Sequence, residues 1–195
     1  MSAGGRRVCI ALVAPSGSGK STTAGFVLDR CRALGVAAAV VKLAQPLYDV
    51  QSCIYRACGV AIEPGAQNQA LLETVASLMR AIDARSLVNA FFRALDATDA
   101  QVVVNDDLRD PEVDWPALRA AGFRAVRIVA SGPVVAQRLA RRADLHTQRN
   151  SAVDARAGAI EADFTLENHG DSLAEYRRTV DRFVDELLAA HGVRP

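Results

Sequence analysis

The nine residues Ala14-Pro-Ser-Gly-Ser-Gly-Lys-Ser-Thr22 constrain this chain more than any other stretch. They follow the apolar run Val8-Cys-Ile-Ala-Leu-Val13 and lead into a helical pattern. Strand, loop and helix thus come in the order of a Walker A phosphate-binding loop, with Ala14 where the first glycine usually stands. The backbone from Ser16 to Ser21 is expected to wrap an anionic phosphate chain, with the positive end of the following helix behind it. Gly17 and Gly19 allow backbone angles closed to other residues, and without a Cβ they let the amides come close. Lys20 is expected to reach the terminal phosphates and the Ser21 hydroxyl to hold magnesium, so the nucleotide-binding set is Ser16, Gly17, Ser18, Gly19, Lys20, Ser21 and Thr22. A dinucleotide-binding loop does not fit. Thr22 stands where a third glycine belongs, and no acid lies near position 40 to take a ribose.

Beyond the loop, Thr22 to Leu34 has helical periodicity and stops at Gly35, and Ala37 to Leu43 is an apolar strand broken only by Lys42. Between Gln45 and Thr98 no strand is apparent. Three amphipathic helices fit there, carried by Leu47 to Cys58, Leu71 to Ile82 and Leu87 to Leu95. Pro64-Gly65 separates the first two and Asp83 caps the third. Gln101 to Asn105 returns to strand character and ends in Asp106-Asp107-Leu-Arg109. A helix over Pro111 to Gly122, a strand over Phe123 to Ala130, a helix over Val134 to Arg142 and a short strand at Phe164 to Leu166 follow. Ser172 and Glu175 form a capping box for a last helix. Alternating strands and helices predict an α/β P-loop NTPase fold: about five parallel strands, helices on both faces, and right-handed crossovers. Ligands then bind at the strands' C-terminal ends, where both the phosphate loop and Asp106-Asp107 fall.

A length of 195 residues, half of them hydrophobic, suits one domain over 1–195. It holds a helical insertion at about 45–98 and a lid at about 141–150. The net charge of +1 gives no general reason to bind nucleic acid or an anionic membrane. No segment approaches the ~20 apolar residues of a membrane span. Arg6 and Arg7 precede too short an apolar run for a secretion signal. Cys9, Cys31, Cys53 and Cys58 lack paired metal-ligand spacing and are expected to be reduced core residues of a cytoplasmic protein.

Phosphoryl transfer needs a magnesium-linked acid and several arginines around the loop. Asp106 and Asp107 are the candidate acids, and Arg109 either faces the acceptor or pairs with Asp110 or Glu112 at the surface. Arg138, Arg141, Arg142 and Arg149 have the composition of a lid that closes on phosphates, while His146 has no obvious partner.

The phosphate loop, Leu43-Ala-Gln-Pro-Leu47, Leu71 to Arg80 with Ile82-Asp83, Val102-Val-Val-Asn-Asp-Asp-Leu-Arg109, and Ala162 to Asn168 with Gly170 together resemble the ordered motifs of phage-type deoxynucleoside monophosphate kinases. Parts are shared with dephospho-coenzyme A kinase, phosphomevalonate kinase and kinases of 5-hydroxymethyluracil in DNA. The resemblance implies that Asp107 and Arg109 are an Asp-x-Arg motif and that Arg80 is near the acceptor; its place in the helical insertion would let it hold a phosphate already on the acceptor. It also implies that Asn168 and Gly170 lie near the nucleotide base. Two blocks depart from the family: Ala44-Gln-Pro-Leu-Tyr48 lacks an acid and a lysine, and His146-Thr-Gln-Arg149 replaces a His-x-Ser-Glu pattern.

The expectation is a kinase using ATP and Mg2+ to phosphorylate a (deoxy)nucleoside monophosphate or related small acceptor. Lys20, Asp107 and Arg142 would be catalytic, and Ser21 and Asp107 would hold the metal. Arg138, Asn168 and Gly170 join the nucleotide side, and Lys42, Arg80, Asp106 and Arg109 the acceptor side. The alternative acceptor is a hydroxyl on 5-hydroxymethyluracil or a similar base in DNA. A third reading is a nucleotide-dependent binding module that hydrolyses slowly. A guanine-reading Asn-Lys-x-Asp motif is missing, which argues against a GTPase switch.

Overall fold

The computed structural model describes residues 7–63, 65–132, 134–136, 157–169 and 172–193. The expected lid, with Arg138, Arg141, Arg142, His146 and Arg149, falls outside them, as does Gly170. The elements run β1 (Val8–Val13), α1 (Lys20–Ala33), β2 (Ala38–Val40), α2 (Gln45–Ala57), α3 (Gln69–Ile82), α4 (Ser86–Asp96), β3 (Val102–Asn105), α5 (Asp114–Ala120), β4 (Arg124–Val129), β5 (Phe164–Glu167) and α6 (Leu173–Ala190).

Five parallel strands form one sheet in the order β2-β3-β1-β4-β5. β1 is central and buried along all six residues, with Val8 opposite Val102 on one side and Leu12 opposite Val126 on the other. Because side chains alternate across a strand, the continuous apolar run feeds two cores. Val8, Ile10 and Leu12 pack with Val102, Val104, Val126 and Ile128 beneath α1 and α6. Cys9, Ala11 and Val13 pack with Val103 and Ala125 beneath α4 and α5, around Phe91, Trp115 and Phe123. The helical insertion closes over a small core of its own, Leu47, Leu72, Val75 and Leu87. This is the P-loop fold expected from the alternation of elements. Successive strands leave β1 on opposite sides, so a crevice opens at its C-terminal end.

The local differences have physical reasons. β2 keeps three residues rather than seven: Val41 still donates to the Val104 carbonyl at 2.9 Å, but Lys42 then turns to meet Asp106. α5 starts late because Asp110 Oδ1 accepts from the amides of Glu112 and Val113 and holds 111–113 in a turn. Asp83 does not bond the first turn of α4 as a simple cap. Its carboxylate accepts from the Arg85 amide and from Asn89 Nδ2, both at 2.9 Å. Ser172 Oγ accepts from the Glu175 amide at 3.3 Å, starting α6 as the capping box predicts. Cys9 and Cys31 are buried, and burial pushes both thiols up to about 11. Cys53 and Cys58 are exposed instead, because α2 turns only a narrow face, Leu47 and Gln51, fully inward. Leu78 and Ile82 of α3 are likewise exposed. Arg7 donates to the carbonyls of Leu95, Thr98 and Ala100, satisfying groups that the end of α4 leaves open. No helix among the described residues is long and apolar enough to cross a membrane.

Phe91 is fully buried and meets both Phe92 and Phe123 edge-on, at ring-centroid separations of 5.7 and 5.5 Å. Phe91→Ala is expected to cost about 3–5 kcal/mol in urea unfolding, because it leaves a cavity between α4 and the sheet.

Candidate active site

The phosphate loop leaves β1 and enters α1 through two left-handed glycines, Gly17 at φ 83° and Gly19 at φ 102°. An L side chain at either position would be strained, and Gly19 is also the residue that opens the helix. Lys20 folds back over the loop and donates to the carbonyls of Ala14 and Pro15. Ser16, Gly17, Gly19, Lys20 and Ser21 line a cavity with Lys42 and Asp106. Ser21 and Thr22 are exposed, while Ser18 is buried and turned from the cavity. The cradle therefore suits a phosphate chain: it has left-handed glycines where amides must converge and a lysine folded over the loop carbonyls. A hydroxyl and carboxylates nearby supply the hard oxygen donors that magnesium prefers.

The loop is braced from behind. Asn168, 3% exposed at the end of β5, donates Nδ2 to the Ser18 carbonyl at 3.0 Å. Thr23 Oγ1 lies 2.9 Å from the Gly19 carbonyl and 2.6 Å from the Tyr176 hydroxyl of α6. Asn168 thus bonds the phosphate loop itself, an arrangement the resemblance did not imply.

The two acids at the end of β3 differ in what they hold. Asp106, buried, accepts from Lys42 Nζ at 2.9 Å. Asp107 accepts the Leu43 amide and Asn105 Nδ2 on Oδ1, at 2.9 and 2.7 Å, and the Ala44 amide on Oδ2 at 2.9 Å. Burial pushes the Asp107 carboxyl above the ordinary range; the amides work against that, and Asp106 adds to it. Asp107 therefore clamps the loop between β2 and α2, an assignment that sequence spacing alone could not separate from a metal-linked role.

A second cavity of about 310 Å³ opens between the end of β3 and the helical insertion. Tyr48, Gln67, Gln69, Asp107 and Arg109 line both cavities, so the two adjoin. Gln67 Nε2 donates to the Tyr48 hydroxyl at 3.3 Å, and burial pushes that phenol up to about 12. Buried Gln51 fixes the segment that carries Gln67: its amide donates to the Ala66 carbonyl and accepts from the Asn68 amide. Arg80 also lines the second cavity, as a bidentate partner of Asp114. The structure thus brings together Lys20, Ser21, Lys42, Asp106, Asp107 and Arg109, and sets Arg80 apart from the phosphate loop. Sequence reading missed Tyr48, Gln67, Gln69 and Asp114. Tyr48 had a signal, since it stands where the resembled family has lysine, and Asn68 as a helix cap marked the start of α3 beside the two glutamines.

No family model and no curated protein matches the sequence. Among solved structures, shikimate kinase from Bacteroides thetaiotaomicron matches with a TM-score of 0.53 at 15% identity, covering 92% of this chain and 98% of that one. A sugar kinase from Janibacter sp. HTCC2649 gives a TM-score of 0.50 at 18% identity, covering 97% of this chain and 99% of that one. At such identities the likeness is one of fold: this chain has the fold of small-molecule P-loop kinases.

Asp107→Asn keeps the shape of the side chain but leaves one backbone amide facing another donor. It is expected to lower stability by about 1–3 kcal/mol in denaturant unfolding. Asp106→Asn is expected to cost less, since its partner Lys42 is one-third exposed and can turn to water.

Proposed function

We propose that this chain is an ATP- and magnesium-dependent phosphotransferase acting on a nucleoside monophosphate or a related small acceptor. The observation that carries the reading is the adjoining pair of cavities, one walled by the phosphate loop and the other of small-molecule size. Donor and acceptor would meet at the shared residues, above all Arg109.

In this reading the loop amides hold the β- and γ-phosphates, and Lys20 exchanges its carbonyl partners for phosphate oxygens. Ser21 and Asp106 would hold magnesium, which when bound would supply positive charge against the phosphates. Lys42 is kept beside the loop by Asp106, and Arg109 directs the acceptor's anionic end toward the γ-phosphate. Asp107 positions residues 43 and 44 at the cavity wall, and Asn168 holds the carbonyl side of the phosphate loop so that its amides face the ligand. Arg138 and Arg142 belong to the proposed lid, with Arg142 meeting the charge that spreads over the transferring group.

The state of the acids favours a phosphate acceptor over a hydroxyl. A hydroxyl needs a base to take its proton, whereas an acceptor phosphate, with a second pKa near ~6, is already largely ionised at neutral pH and needs only positioned cations. Asp106 is engaged by Lys42 and Asp107 by three N–H donors, which leaves both poorly disposed to serve as that base.

Labelled phosphate from ATP, offered to nucleoside monophosphates, nucleosides and hydroxymethylated DNA, is expected to enter the monophosphates. Lys20→Ala should retain its helicity and lose roughly a hundredfold or more in kcat, because the lysine acts on charge and not on the core. Transfer into DNA would replace this acceptor assignment, and ATP hydrolysis without transfer to any acceptor would favour the binding module.

A further inference from the structure

Arg80 lies on the stripe of α3 that faces the acceptor cavity, in line with Gln69, Leu72, Glu73 and Ala76. These positions recur every three or four residues, so the stripe follows the helix from end to end. Gln69 also lines the phosphate-loop cavity, and Arg80 does not. The two are separated by about 16 Å along the helix axis at 1.5 Å per residue. Arg80 therefore stands at the pole of the cavity away from the site of transfer, where it cannot serve the phosphate that accepts.

Its guanidinium is held in one plane. Nη1 donates to Asp114 Oδ1 at 3.2 Å and to the Ala84 carbonyl at 3.3 Å, and Nη2 donates to Asp114 Oδ2 at 2.7 Å. Its Nε–H and remaining Nη2–H have no acceptor among the described residues, and the side chain is 25% exposed. Those two N–H groups form a parallel pair of donors. Such a pair takes an anion or two adjacent ring lone pairs equally well in geometric terms, so the surrounding charge decides. The charge of Arg80 is already matched by its bidentate partner Asp114, and Asp110 lies close enough to act on it as well. The other pole has Arg109, with Lys20 and Lys42 beyond it, three cations against the carboxylates of Asp106 and Asp107. An acceptor's phosphate is drawn to that second pole, and between the two the wall is apolar, formed by Leu47, Leu72, Ala76 and Leu87.

Building on the monophosphate reading, we infer that Arg80, held by Asp114, selects the acceptor by its uncharged base, bonding a pair of adjacent ring lone pairs such as O6 and N7 of guanine. This replaces the expectation that Arg80 grips a phosphate. On the same edge adenine pairs N7 with an amino donor, thymine offers a single carbonyl and cytosine an amino group, so none matches two parallel donors.

The test compares KM for dGMP, 7-deaza-dGMP, dAMP and dTMP, and Ki for deoxyribose 5-phosphate as a competitor, in wild-type protein and Arg80→Lys. Lysine keeps a cation beside buried Asp114, and a thermal melt reports whether the variant folds. The wild-type comparison of dGMP with 7-deaza-dGMP needs no variant at all. Wild type is expected to favour dGMP over 7-deaza-dGMP and dAMP by roughly tenfold. Arg80→Lys should raise KM for dGMP roughly ten- to a hundredfold, erase that preference and leave Ki for deoxyribose 5-phosphate unchanged. Equal KM for dGMP and 7-deaza-dGMP in wild type, or a rise shared by deoxyribose 5-phosphate, overturns the inference while leaving the kinase reading standing. Failure of wild type to phosphorylate any monophosphate overturns the acceptor reading and the inference with it.

Discussion

The carboxylate of Asp107 ties the end of β3 to the start of the helical insertion, and the geometry of the whole crevice depends on that tie. Its oxygens take the amides of Leu43 and Ala44, the two residues between the β2 region and α2. These amides precede a helix and lack partners of their own, so the acid does for them what a cap does for a helix end. Asn105, fully buried, completes the arrangement by bonding both the Val41 carbonyl and Asp107. With the insertion fixed in this way, the acceptor cavity meets the phosphate loop at one shared wall.

A second set of contacts holds the loop from the opposite side. Asn168 reaches the Ser18 carbonyl from β5, and Tyr176 reaches Thr23 from α6. These bonds are buried and join residues about 150 positions apart in the chain. The loop's amides are thus oriented by elements near the end of the sequence. Such preorganisation matters for phosphoryl transfer, where positioning and electrostatics carry most of the work.

Local chemistry was legible in the sequence, and long-range pairing was not. Gly17, Gly19 and Lys20 announce the loop by spacing alone, Ser172 with Glu175 announces α6, and the apolar runs announce the sheet. The pairing of Arg80 with Asp114 joins α3 to α5 across 34 residues, and neither residue marks the other. Asp106 and Asp107 look interchangeable as neighbours at a strand end, and only the fold shows that one meets a lysine and the other backbone amides. The periodicity of α3 includes Leu78 and Ile82, yet both are exposed because α3 packs chiefly against α2 and α4 and leaves that edge to solvent.

In the proposed function the amides of residues 16–21 form a cradle for the phosphates of ATP. Amide hydrogen exchange with and without ATP and magnesium tests it residue by residue. Marked slowing is expected at 16–21, with the amides of the outer turns of α6 unchanged. Exchange at 16–21 that stays the same at saturating ATP would contradict it.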